Sequence, residues 1–275
     1  MSLIDRYLAG GRVPWSPGYS KYKNVIMREA LRDSTMMARF AEGRPLPAGY
    51  GTHIDERIVE CPWALATLGV GTSRVLDAGS VLNAPFLLEQ PQLKGRPLVI
   101  YSLEIDHLQL DPNLSYLHGD FREPILRDEI FEAIVCISTL EHVGMWPIPK
   151  PPVAENLAKP QPQKDLTAYR GALAVFSRLL KPGGRLLLTL PFGVPEDHDW
   201  LQIFDAAKIA DVKAAFGGET ISETYYRHSL QGWNTASAEE CAHLRYFNIV
   251  KTPQFDADKA AAARAVVCLE LRRPA

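Results

Sequence analysis

The run Arg74-Val75-Leu76-Asp77-Ala78-Gly79-Ser80 constrains the fold of this chain more than any other. It reads as a buried strand that ends at an acid and meets a glycine at once. Such a junction suits the carboxyl edge of a parallel sheet, where Gly79 removes a side chain at a point of close backbone approach. Taken alone, turns of this kind also occur in α/β proteins that bind nothing there. The order of the later strands narrows the reading. A second apolar strand ends at Glu104, Gly119-Asp120 closes a third, and Ile134 to Ser138 runs into Thr139-Leu140-Glu141-His142. Leu180-Lys181-Pro182-Gly183-Gly184 then precedes the strand Arg185 to Leu190.

From Arg74 onward apolar runs alternate with helical patterns. The spacing predicts strands at about 74–78, 98–104, 114–118, 132–138, 185–191, 219–227 and 263–272, with helices over Leu166–Leu180 and Asp205–Phe216. Near-continuous apolar strands suit a parallel sheet covered on both faces. Alternation of strand and helix gives a doubly wound α/β fold. The last two strands lack a helix between them, so one is expected to run antiparallel, in a seven-stranded, mostly parallel sheet. Residues 1–55 read as an N-terminal extension or cap and 56–275 as the main domain. One helix is expected near Asn24–Ala41, and another from Asp55 that Pro62 should bend or split. Two insertions stand out. Residues 144–164 are too rich in proline for helix or sheet, and 228–258 carry Trp233, Tyr246 and Phe247; each reads as a rim over a ligand pocket.

Composition excludes several classes. With 275 residues, 47% hydrophobic and 23% charged, the chain suits one large globular domain with decorations. A net charge of −2 gives no basic surface for a nucleic acid. Cys61, Cys136, Cys241 and Cys268 have no paired spacing for zinc or redox work, and a buried thiol is the reading for Cys136 and Cys268. No apolar run is long enough to cross a membrane and no export signal opens the chain, so a cytoplasmic location is expected. Oligomeric state is not fixed by these features.

Three motifs in order, Val75-Leu76-Asp77-Ala78-Gly79, Ser138-Thr139-Leu140-Glu141-His142-Val143 and Leu179-Leu180-Lys181-Pro182-Gly183-Gly184, resemble those of class I methyltransferases that use S-adenosylmethionine (SAM). Asp55 to Trp63 also looks like an uncharacterised bacterial branch of that family. The resemblance covers about residues 56–272. It implies a Rossmann-like methyltransferase fold with SAM as cofactor and a small-molecule or sugar acceptor methylated at oxygen. By this resemblance Asp77, Gly79, Ser80 and Asn83 form the first cofactor loop, and Glu104, or else Asp106, holds the ribose. Asp120 accepts from the adenine amino group and Phe121 flanks the ring. Ser138 and Glu141 lie under the sulfonium, and Arg57 pairs with the cofactor carboxylate or with a neighbouring glutamate.

A base must take the proton of an oxygen nucleophile, and histidine is poised to do so near neutral pH. His142 is the first candidate and His198 the second; either could serve instead as a structural donor. No metal is expected, because Glu141 and His142 lack a second well-placed acid. The chain departs from the family at Val81 and Asn83, where two further loop glycines are common. A non-catalytic member with a degenerate cofactor loop is the alternative this leaves open.

Overall fold

The computed structural model describes residues 1–103, 108–145, 164–252 and 254–275. Five strands run parallel: β1 (Val75–Ala78), β2 (Leu98–Ser102), β3 (Leu114–His118), β4 (Phe131–Ile137) and β5 (Leu180–Pro191). Beyond β5 lie β8 (Ala265–Arg272), antiparallel to it, then β6 (Glu219–Ser229) and β7 (Gly232–Ala236). The order is β3-β2-β1-β4-β5-β8-β6-β7. The chain therefore winds outward from β1 to β3 and restarts at β4 on the other side. β1 and β4 flank the point of reversal, where sheets of this kind bind ligands beyond their carboxyl ends.

Successive side chains of a strand point to opposite faces, and both faces are covered here. Val75, Val135 and Leu187 join one core, with Ile58, Trp63 and Leu65 of α4 (Arg57–Leu68). Leu76, Ile134 and Leu188 join the other, with Phe176 of α6 (Tyr169–Leu179) and Val212 of α7 (Ala206–Phe216). The N-terminal helices α1 (Leu3–Ala9), α2 (Tyr19–Arg32) and α3 (Ser34–Ala41) share the first core through Tyr7, Met27 and Phe40. Two short helices, α5 (Pro85–Leu88) and α8 (Ala238–Cys241), follow the β1 loop and β7 respectively.

Four expectations need correction. Among the described residues the sheet has eight strands, not seven. The eighth, β7, is the start of the 228–258 insertion, which turns back at Leu230-Gln231 and pairs with β6. Trp233 is accordingly core, 1% exposed, its indole N–H donating to the carbonyl of Ile54 at 2.8 Å. The single helix expected over 24–41 is two, because Asp33 caps α3 by accepting from the N–H groups of Thr35 (2.8 Å) and Met36 (3.3 Å). α4, by contrast, is not split at Pro62 but runs on through it. Proline supplies no N–H for the carbonyl four residues back, and the Tyr50 hydroxyl donates to that carbonyl, of Ile58, at 2.8 Å. The proline-rich insertion falls almost wholly on 146–163, outside the described residues.

Candidate active site

The carboxyl ends of β1 and β4 touch. A Cβ on Gly79 would lie 2.1 Å from Thr139 Oγ1, and Gly79 has φ +119°, so both space and backbone demand glycine. Its N–H donates to the carbonyl of Tyr101 at 2.9 Å. Ser80 has φ +66° and Ser138 φ +35°, so each loop holds a non-glycine residue in left-handed backbone. Strain of this sort persists where the surrounding structure enforces it, and it clusters at ligand sites. Val81 and Asn83 have no positive φ, which removes the conformational need for the family's two later glycines. Val81 packs against the core.

Asp77 is fully buried and braces this loop, its Oδ2 accepting from the N–H of Leu82 at 3.0 Å. Its Oδ1 has no partner, and burial pushes its pKa up to about 7. Asn83, also buried, donates to Ser80 Oγ at 3.3 Å and accepts from the Tyr116 hydroxyl at 3.0 Å. Glu104 and Asp106 lie outside the described residues. At the end of β3, Asp120 accepts from the backbone N–H of Arg122 (2.8 Å) and from its guanidinium at Nε (2.9 Å). The guanidinium bonds hold its carboxyl below the usual range, so it stays ionised. Phe121 is 6% exposed, its ring between Tyr101 and Phe176 at 5.4 and 5.5 Å.

Beneath the β4 loop lies a buried polar knot. Glu60 of α4, 0% exposed, accepts from Ser138 Oγ (2.5 Å) and Thr189 Oγ1 (2.8 Å) through one oxygen and pairs with Arg57 through the other. Arg57 also donates to the carbonyl of Ser138 at 3.4 Å. Of the two partners the sequence allowed for Arg57, a glutamate is thus present. Glu60 lies within the Asp55–Trp63 segment of the resemblance and is one of the glutamates expected to pair with Arg57, but on the surface; it is buried instead.

Glu141 is buried, its Oε2 has no partner, and burial pushes its pKa up to about 8. His142 Nδ1 lies 2.7 Å from the carbonyl of Trp200, whose indole stacks on the imidazole at 5.6 Å. A carbonyl only accepts, so Nδ1 carries the proton and Nε2 keeps its lone pair. Burial holds His142 below the usual histidine range, and its side chain remains 33% exposed. His198 is different. Its Nδ1 meets the Asn248 amide at 3.2 Å, and its Nε2 lies 3.4 Å from Glu196, so one nitrogen faces an amide and the other a carboxylate.

A cavity of about 730 Å³ opens beside His198 and reaches Trp200, the residue that holds His142. Trp15, Glu56, His198, Trp200, Tyr246 and Phe247 line it. The second half of the 228–258 insertion therefore forms a wall, as a rim would. No group of three or more candidate metal ligands occurs among the described residues.

No protein-family model and no curated protein matches the sequence. Solved structures do. The [4+2]-cyclase SpnF aligns with TM-score 0.50 and 17% identity over 92% of this chain and 96% of its own. The N-methyltransferase NodS of Bradyrhizobium japonicum, in complex with S-adenosylhomocysteine, aligns at TM-score 0.46 and 13% identity over 90% and 97%. A Burkholderia thailandensis 1,6-didemethyltoxoflavin-N1-methyltransferase gives 0.44 and 14% over 100% and 92%. At such identities the likeness is one of fold. The chain has the Rossmann-like methyltransferase fold.

Proposed function

We propose that this protein is a SAM-dependent methyltransferase acting on a small molecule. The observation that carries the reading is the contact of the β1 and β4 loops, with glycine enforced at 79 and left-handed serines at 80 and 138. That cradle lies at the sheet's reversal point, and it fits a cofactor whose backbone-hugging end needs an open first loop. Arg57, which gives one bond to Glu60 and a long one to the Ser138 carbonyl, has further guanidinium N–H groups for the cofactor carboxylate. Asp120 is ionised at the end of β3, where an acceptor for the adenine amino group is expected, although both its oxygens bond Arg122, which would have to yield one of them. Gly79, Ser80, Ser138 and the orphaned carboxyl of Glu141 would face the reacting end.

When bound, SAM supplies a methyl group on a positively charged sulfur, which departs as a neutral thioether. The chain's own task is to align the acceptor and take its proton. His142 is built for this: the Trp200 carbonyl fixes the tautomer, stacking fixes the ring plane, and Nε2 stays free to accept from a hydroxyl. His198, whose Nε2 is buried without a hydrogen bond 3.4 Å from Glu196, lines the cavity and is the second candidate. A base of this kind is consistent with an oxygen acceptor, sugar or otherwise.

A second reading keeps the cleft and changes the reaction, because the same fold serves a [4+2]-cyclase. Calorimetric titration with S-adenosylhomocysteine separates the cases. Saturable binding is expected, and no binding at millimolar concentration overturns the proposal. Incubation of SAM with candidate acceptors should then give products heavier by one methyl, whereas a cyclase returns isomers. Proton NMR should find His142 titrating below the ordinary histidine value of about 6.5, and His142→Gln should slow turnover by about 10²–10⁴.

A further inference from the structure

We infer that the acceptor carries a protonated amine beside an apolar ring or face, with its ammonium held on the Glu56 carboxylate. The inference rests on the methyltransferase reading, since it names the acceptor that reading requires. The cavity of about 730 Å³ is of the size that encloses a small organic molecule. Trp200 links it to the proposed base: the residue lines the cavity, and its carbonyl and indole hold His142.

Charge selects among occupants. Four carboxyl groups, Asp55, Glu56, Glu60 and Glu141, gather around the first turn of α4 and the β4 loop. Lys23 pairs with Asp55 at 2.6 Å and Arg57 with Glu60. Among the described residues no lysine or arginine comes within 4.0 Å of the Glu56 or Glu141 carboxyl oxygens. Glu56 accepts one bond, from the N–H of Ala263 at 3.2 Å to Oε2, and lines the cavity. The other charged lining residues, Asp199 and Lys251, are exposed at the mouth, and Asp199 pairs with Lys164.

The interior thus presents one carboxyl among aromatic faces. That combination favours an organic cation, through the ring quadrupoles and the carboxylate together. Burial, then the charges of Asp55 and Glu60, pushes Glu56 up to about 8, so near neutrality it holds a proton that an arriving ammonium displaces.

The test uses two probes of one shape, 2-phenylethylamine and 2-phenylethanol, titrated calorimetrically into the wild-type protein near neutral pH. The amine should bind at least about tenfold more tightly, a difference of about 1.4 kcal/mol. Its apparent heat should vary with the ionisation heat of the buffer, reporting release of a proton. Folded Glu56→Gln, checked by circular dichroism and melting, should lose the preference. If that variant does not fold, proton release by the wild type decides. Equal binding of the probes, absence of amine binding, amine binding without proton release, or a preference that survives Glu56→Gln overturns the inference. S-adenosylhomocysteine binding without amine preference removes this inference alone; amine preference without S-adenosylhomocysteine binding removes the cofactor reading alone.

Discussion

The hydroxyl of Tyr50 donates to the carbonyl of Ile58 at 2.8 Å and replaces the N–H that Pro62 lacks. That bond keeps α4 continuous, and α4 carries Arg57 and Glu60 to the floor of the cleft. Tyr50→Phe leaves a buried carbonyl unsatisfied while sparing the ring's packing against Phe40. The expected loss is about 1–3 kcal/mol, read from urea unfolding. A variant that also replaces Pro62 by alanine restores the backbone bond and should recover most of it.

Gly79 sits where a methyl group would collide with Thr139 and where φ +119° strains any side chain. Gly79→Ala should push the β1 and β4 loops apart and weaken S-adenosylhomocysteine binding by at least about tenfold, or about 1.4 kcal/mol. Val81→Gly relieves no positive φ and should leave affinity within about threefold, roughly 0.6 kcal/mol. Calorimetry on the two variants distinguishes the enforced glycine from the one merely common at that place.

His228 is 4% exposed, packs on Trp233 at 5.5 Å, and has no hydrogen-bond partner at either ring nitrogen. Burial lowers its pKa to about 4, with Asp258 opposing and His53 and Arg264 assisting. The folded protein therefore needs the neutral ring. Below pH 6.5 the unfolded chain takes up a proton that the folded chain refuses. Stability should fall from about pH 6.5 to about pH 4, by about 3 kcal/mol from this group. His228→Phe should flatten that part of the curve of unfolding free energy against pH.

Much of this fold is legible in the residues because burial on both faces writes β1, β2, β4 and β5 as plain apolar runs, and each lies close to its predicted place. β7 was hidden for a local reason. Its turn, Ser229-Leu230-Gln231-Gly232, lacks the Asn-Gly or Asp-Gly pair that marks hairpins, and the positive φ of 86° falls on Gly232, after the turn's centre. The break between α2 and α3 did carry a signal, Asp33-Ser34, since an acid of this kind caps helices. At the cleft, Gly79 and His142 could be found because strand ends place them. Glu56 and Glu60 depend on contacts with Ala263, Ser138 and Thr189, between 78 and 207 residues away in sequence, which no local pattern encodes.

The pair Arg57–Glu60 offers an asymmetric test, because Glu60 is 0% exposed and the Arg57 side chain 27%. Removing one partner of a buried pair costs about 3–5 kcal/mol when the survivor cannot reach water. In Glu60→Gln the survivor is Arg57, which can turn outward, and an amide oxygen still accepts from Ser138 or Thr189. In Arg57→Met the survivor is a carboxylate with two hydroxyl donors and no cation, sealed under the β4 loop. Arg57→Met should therefore be the more destabilised at pH 7.5, by about 1–2 kcal/mol beyond Glu60→Gln. Urea titrations of the two variants and the wild type at pH 7.5 measure the difference.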